Sequence, residues 1–345
     1  MGSVKDLEII KKTEKNKMGI GRFHFSDRYS VFDWGEMPDN IDGKGASLCI
    51  ISAFFFEKLE KKGIRTHYRG IIDKEGNLKK LSEIQIPVST MEIFLVRVLK
   101  PTFSSGKYDY SIYKKEKGNF LIPLEIIYRN GIPSGSSILK RLKNGELSLG
   151  DIGLDHFPTE GEKLEKPIFD ISTKLEMKDR YISLKEGKEI ACLSDEEVSQ
   201  MREILFVINE TISEEVRKIG VENEDGKIEL GFTPEREFIV VDVIGTPDEC
   251  RFTYNGINLS KEIARQYYRK TKWYEEVERA KNKAKDIGID DWKSLCKLKP
   301  EKLPEKLKKI IENIYKSFAN EITGKKFFST PPLKEIIQEY SSYLT

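Results

Sequence analysis

Short alternating apolar runs fill the first part of the chain, and apolar residues at helical spacing fill the last. Residues 7–10 and 20–25, with a Lys-rich turn before Met18 and Gly19, predict a first hairpin. Leu48, Ile51, Phe55 and Leu59 share one face of a helix predicted over 46–62 and stopped by Gly63. Residues 93–99 read as a strand containing Arg97, residues 102–119 as a polar hairpin rich in Tyr and Lys, and residues 120–130 as a buried strand. Pro123 and Glu125 are out of character in that last run, and such anomalies mark a function or a junction. A helix follows Ser137, residues 167–176 are extended, and Ser194 with Glu197 forms a capping box. The box opens a long amphipathic helix with Val198, Met201, Leu205, Ile208 and Ile212 inward. Two charged amphipathic helices, over 263–285 and 303–322, complete the pattern. Strands first and helices later predict an α+β fold of two lobes.

One stretch stands out chemically. Residues 227–243 alternate, turn at Thr233-Pro234-Glu235 and return as a β-branched run, which predicts two paired strands carrying Glu229 and Asp242. Either these acids face water, as most strand acids do, or something positive meets them. The Pro247-Asp248-x-x-Arg251 turn just beyond suggests a divalent cation beside an anionic ligand. Lys44 between two glycines at a helix start is placed for an anion, although no P-loop is present. Arg129, Ser136 and Ser137 converge at another helix start and suit a phosphate monoester, or the serines merely cap the helix. Lys11 and Lys12, in the first hairpin turn, either cover nucleotide phosphates or are ordinary exposed lysines.

Composition narrows the class. The chain has 345 residues, enough for two lobes around a cleft, and 59 basic against 57 acidic residues leave a net charge of +2. That balance gives no bias towards nucleic acid. The four cysteines form no CxxC pair, which argues against a zinc site or a disulfide framework and for a reducing cytosol. No charge-free apolar run of membrane length occurs, so a soluble cytoplasmic protein without a membrane partner is expected.

Seven segments in order resemble one family, the SAICAR synthetases (phosphoribosylaminoimidazole-succinocarboxamide synthases). They are Ser26-Asp27-Arg28-Tyr29-Ser30-Val31-Phe32-Asp33, Gly43-Lys44-Gly45, Ile122-Pro123-Leu124-Glu125 running to Arg129, and Pro167-Ile168-Phe169 with Ser172-Thr173-Lys174. Asp225-Gly226-Lys227-Ile228-Glu229-Leu230-Gly231, Thr246-Pro247-Asp248 with Arg251-Phe252, and Thr323-Gly324-Lys325-Lys326-Phe327 follow, the last being similar to longer, eukaryote-like members. The resemblance implies a two-lobed fold with an ATP cleft and a helical C-terminal extension, divided into a nucleotide-covering lobe (1–121) and a substrate and metal lobe (122–345). It implies amide formation between the carboxylate of a phosphoribosyl carboxyaminoimidazole and the amine of L-aspartate, using ATP and Mg²⁺. By position, Glu229 and Asp242 would hold Mg²⁺, with Lys227 catalytic beside them. Arg97, Lys174, Lys11 and Lys12 would meet ATP, and Glu125 would line the adenine pocket. Arg129, Ser136 or Ser137, and Arg251 would hold the ribotide phosphate. Arg28, Ser30, Asp33, Lys44 and Asp179 would form the remaining substrate side. The partners implied are small molecules, the protein being a monomer or homo-oligomer.

The chain departs from the family in its N-terminal Gly-Lys loop, in Val243 after Asp242, in Glu249-Cys250 before Arg251, and in a longer Arg129–Ser137 loop. These leave open a paralogous ligase with another carboxylate or amine. A kinase-like phosphotransferase would need a positioned Asp base such as an HRD motif, which is absent. A non-catalytic nucleotide binder would be expected to have lost Glu229 or Asp242.

Overall fold

The computed structural model describes residues 4–104, 106–259, 261–289 and 291–344, so residue 105 of the predicted polar hairpin lies outside it. Strands β1 (Lys5–Lys11), β2 (Gly19–Phe25), β3 (Tyr68–Ile72), β4 (Leu78–Lys79) and β5 (Thr90–Leu95) form an antiparallel sheet in the order β1-β2-β5-β3-β4. The first hairpin is as predicted. Arg97 falls beyond β5, where it bridges to Phe120. Only part of the predicted polar hairpin forms, as β6 (Thr102–Ser104) and β7 (Lys107–Asp109); a 3₁₀ turn over Ser111–Lys115 takes the rest.

The second sheet comprises β8 (Phe120–Gly131), β9 (Lys163–Thr173), β10 (Glu222–Phe232), β11 (Phe238–Val241), β12 (Cys250–Tyr254) and β13 (Ile257–Asn258). Its path is β13-β12-β10-β8-β9, and β11 also pairs with β10. One edge of β10 is therefore shared: β12 takes residues 222–226 and β11 takes residues 229–232. The chain between these two partners, residues 242–249, lies against the middle of β10.

Eight helices are described: α1 (Lys44–Lys61), α2 (Ser137–Lys143), α3 (Leu184–Ala191), α4 (Asp195–Arg217), α5 (Glu262–Tyr268), α6 (Lys272–Ile287), α7 (Glu305–Thr323) and α8 (Leu333–Leu344). The predicted helix over 263–285 is two helices, because the chain leaves helical geometry at Thr271, whose hydroxyl accepts from the Tyr274 N–H and starts α6. α4 covers one face of the second sheet, burying Met201, Leu205 and Ile208 against Ile126, Ile228 and Leu230. α1 packs between the first sheet, α4 and α7, within one continuous core. That core fixes the sheets relative to each other. So do two backbone hydrogen bonds, from His67 N to Val240 O and from Val240 N to Arg65 O, both 2.9 Å.

Candidate functional site

The face of the second sheet turned away from α4 is polar because of strand register. Side chains two apart on a strand share a face, and aligned residues on paired strands stand side by side. Three rows result. Glu229 lies opposite Glu125, which lies opposite Ser172; Lys227 opposite Ile127 and Asp170; and Arg251, Asp225, Arg129 and Ile168 make the third. The ladder between β8 and β10 is irregular between Leu121 and Glu125, which is where Pro123 sits. A proline cannot donate to a ladder, and the irregularity removes that demand while turning Glu125 into the polar face.

The first two rows form an acid and lysine cluster. Lys174 Nζ reaches Glu125 at 3.2 Å and also pairs with Glu229, while Lys227 Nζ meets Glu125 at 2.6 Å and Glu249 at 3.4 Å. Asp242 follows Val241, the β11 partner of Glu229, and Lys5 from β1 meets it at 2.5 Å. Burial and the Asp242 charge hold the Glu229 carboxyl above the ordinary carboxylate range. Burial also opposes ionisation of Asp242, but Lys5, then Lys174 and Lys227, hold it below its ordinary value. Four carboxylates thus share three ammonium groups. Asp242 adopts φ 65, which ends β11 two residues earlier than the pattern predicts. The buried His67 Nε2 lies 2.9 Å from the Asp242 carbonyl, and burial lowers the imidazole to about 4, so it is neutral and donates there.

The third row forms an arginine cluster. Arg129 donates to Asp225 at 3.3 Å, to Asp170 and the Ser137 hydroxyl at 3.2 Å, and to the Tyr181 hydroxyl at 3.1 Å. Arg251 Nε donates to Asp225 at 2.8 Å. The two arginines converge as expected, with the Asp225 carboxylate between them offsetting their repulsion. Among the described residues, the buried Arg129 Nε and Ser136 Oγ have no partner, and buried polar atoms of that kind call for an acceptor or donor from elsewhere. The arginine cluster and, from the acid and lysine cluster, Glu125, Lys227 and Glu249 line one cleft of about 610 Å³, whereas Lys5, Lys174, Glu229 and Asp242 are not part of its lining. Asp33, Glu125, Arg129, Ser137, Asp179, Lys227 and Arg251, all singled out from the sequence, line it.

Other candidates are placed elsewhere. Lys44 is buried with Asp248 at 2.7 Å and Tyr315 beside it, so it fixes the 246–248 turn and does not line the cleft. The anion at that helix start is internal: Asp27 accepts from the N–H groups of Gly43 and Gly45. Arg28 pairs with Asp6, and Ser30 is half-buried outside the cleft lining. Arg97 is tied to Glu116 and to the Gly118 and Asn119 carbonyls and makes no hydrogen bond or ion pair with the acid cluster among the described residues. Lys11 and Lys12 are exposed at the hairpin turn. Glu125, expected beside the adenine, is the shared counter-ion of Lys174 and Lys227. Sequence reasoning missed Lys5, His67, Asp225, Glu249 and Lys261, the last lining the cleft near the Glu249 and Asp248 charges; for Lys5 a signal existed, since it shares a face of β1 with Leu7 and Ile9.

Among the described residues no group of three or more acids, histidines or cysteines is spaced to enclose a metal ion. The pair Glu229 and Asp242 fits Mg²⁺, which binds through one or two carboxylates and keeps waters and phosphate oxygens as its other ligands. The surplus of carboxylate in the cluster, and the reluctance of Glu229 to ionise there, are what a divalent cation would relieve.

The family model for SAICAR synthetase matches residues 10–285; Lys5 precedes the matched segment. A putative phosphoribosylaminoimidazole-succinocarboxamide synthase from Archaeoglobus fulgidus is 50% identical over 344 residues, covering 100% of both chains. The synthase of that name from Thermoplasma acidophilum is 35% identical, covering 88% of this chain and 93% of its own. A SAICAR synthase from Saccharomyces cerevisiae complexed with SAICAR has a similar fold, with a TM-score of 0.64 at 22% identity and 95% of each chain covered. A type-2 SAICAR synthetase in complex with ADP superposes with a TM-score of 0.60 at 21% identity, covering 94% and 97%. The archaeal identity spans the whole chain, including the strands that assemble both clusters, and the chain belongs to the SAICAR synthetase family.

Proposed function

We propose that this protein joins the carboxylate of a phosphoribosyl carboxyaminoimidazole to the amine of L-aspartate at the expense of ATP, as a cytoplasmic enzyme of purine biosynthesis. The observation that carries this reading is the single polar sheet face on which a phosphate-suited arginine cluster adjoins an acid and lysine cluster suited to phosphoryl transfer. A carboxylate is a poor acyl donor until ATP converts it into an acyl phosphate, a step that needs alignment and charge neutralisation more than a strong base. Arg129, Ser137 and Arg251 would anchor the ribotide phosphate at one end of the cleft. Lys5, Lys174 and Lys227 would meet the nucleotide phosphates and the developing charge at the other. Mg²⁺, held by Glu229 and Asp242, would neutralise phosphate charge when bound. Beside Asp242, the buried Leu121, Ile239 and Val241 pack with Met18, Val96 and Leu175. That apolar wall suits a purine base better than Glu125 does.

The division of labour expected between residues 1–121 and 122–345 is retained in this reading, with β1 bringing Lys5 over the phosphates; the boundary falls just inside β8. Among the described residues all four cysteines are unpaired and no helix is long and apolar enough to cross a membrane. The unpaired cysteines are compatible with a reducing compartment. Incubating the protein with ATP, Mg²⁺, L-aspartate and the carboxyaminoimidazole ribotide should yield ADP, phosphate and the succinocarboxamide in equal amounts by mass spectrometry. Product only with a different amine or carboxylate would favour a paralogous ligase.

A further inference from the structure

The cleft contains six carboxylates, and five are engaged. Asp33 meets Lys281 at 2.9 Å, Glu125 meets Lys174 and Lys227, and Glu249 meets Lys227. Asp225 is held between Arg129 and Arg251, and Asp248 by Lys44 and the Tyr315 hydroxyl. Asp179 has no hydrogen bond or ion pair with any described residue, although it lines the same cleft.

Its segment is nevertheless anchored on both sides. The Thr173 N–H donates to the Arg180 carbonyl at 2.9 Å, and the Arg180 N–H donates to the Thr173 hydroxyl at 3.1 Å, closing residues 173–180 into a loop. The Met177 N–H donates to the Tyr108 hydroxyl at 2.7 Å, and Glu176 accepts from the Tyr110 hydroxyl and from Arg180. The loop begins at Lys174, which is paired with Glu229 in the phosphoryl-transfer cluster. A loop fixed at these points, with one exposed carboxylate left unpaired in the cleft, is the arrangement of a group kept available for a substrate.

Resting on the ligase reading above, we infer that Asp179 is the general base that takes a proton from the ammonium of the amino-acid substrate. An ammonium has no lone pair, so it cannot attack an acyl phosphate until a proton leaves. The Asp179 carboxylate accepts one N–H proton and becomes a carboxylic acid. The freed nitrogen lone pair forms the C–N bond at the acyl carbon, and the C–O bond to phosphate breaks. The second surplus N–H proton leaves with hydrogen phosphate, and Asp179 returns its proton to water. The surroundings suit this role: the partial burial of the cleft and the Glu125 carboxylate on β8 raise Asp179 to about 6, with Asp33 adding to them. Lys174 after β9 and Lys227 on β10 oppose that rise without cancelling it. At neutral pH the group is therefore ionised, yet more basic than an ordinary aspartate.

The test uses an amine that is already unprotonated at neutral pH. Wild-type enzyme, Asp179→Asn and Asp179→Glu are supplied with ATP, Mg²⁺ and the carboxyaminoimidazole ribotide, and with either L-aspartate or hydroxylamine. Asp179→Asn should lower kcat with L-aspartate by about 10²-fold or more, while hydroxamate formation stays within about threefold of wild type. The acidic limb of the wild-type kcat profile, near pH 6, should disappear in Asp179→Asn, and Asp179→Glu should restore part of the aspartate reaction. Asp179→Asn that retains full turnover with L-aspartate, or that loses both reactions in equal measure, overturns the role of Asp179 alone. A wild-type enzyme that forms neither amide nor hydroxamate overturns the ligase reading, and this role with it.

Discussion

Replacing Lys44 with methionine separates the sequence expectation from the structural finding most cleanly. The sequence pattern makes Lys44 a substrate contact; the structure makes it the buried partner of Asp248, with side chains 1% and 8% exposed. Burial opposes the charge on Asp248, but Lys44 first, then the Lys261 charge and the Tyr315 hydroxyl, bring it down to about 2. Removing Lys44 would strand that carboxylate in the core, a change that costs about 3–5 kcal/mol. With an unfolding entropy of about 2.1 cal/mol/K per residue, a chain of 345 residues loses about 4–7 °C in Tm for that cost. Calorimetry at neutral pH should show this fall, and Lys44→Met/Asp248→Asn should recover more than half of it, because no uncompensated charge remains. The pair also sets a pH signature. The folded value of Asp248 lies below its unfolded value, so its contribution is complete above the ordinary aspartate range and is lost as pH falls towards about 2. Lys44→Met should flatten that limb of the stability curve. A variant with wild-type Tm and a raised KM for an anionic substrate would refute the reasoning and return Lys44 to the binding site.

Three further outcomes follow from the clusters. Asp242→Asn should lower kcat by at least about tenfold, with a raised Mg²⁺ requirement in steady-state assays, because it removes one of the two carboxylates proposed to hold the cation. Arg251→Ala removes one charge-assisted contact of about 1.5–3 kcal/mol, so KM for the ribotide should rise about 10- to 100-fold while KM for ATP stays within about threefold; the opposite pattern would mean the two ends of the cleft are reversed. Glu229 is held above its ordinary value, so it removes stability as pH rises from the unfolded range through its folded value. Between pH 6 and pH 8 the ligand-free protein should therefore lose more Tm than Glu229→Gln does, a comparison that removes the opposing gain from the buried His67, and Mg²⁺ with ADP should raise Tm more at pH 8; calorimetry across that range checks both.

The sequence by itself determined what repeats locally. Period-two runs determined β1, β2 and β10, because an alternating strand has one face to bury, and solid apolar runs determined β8 and β11, which are buried on both faces. Helical spacing with a capping box determined α4. The residue types at Glu229, Asp242, Arg129 and Arg251 named the chemistry. Only the tertiary structure decided which of these meet. The row Arg251, Asp225, Arg129 exists because β10 sits between β12 and β8 in one register, and a shift of one residue would send Asp225 to the opposite face. Lys5 reaches Asp242 across two sheets and 237 residues of chain, a distance no local pattern encodes. Lys44 shows the converse. Its Gly-Lys-Gly setting is that of an anion site, but the anions it meets are the chain's own: Asp27 occupies the helix N–H groups and Asp248 the ammonium. Which charges a protein answers internally, and which it leaves for a ligand, is settled by packing between segments far apart in sequence.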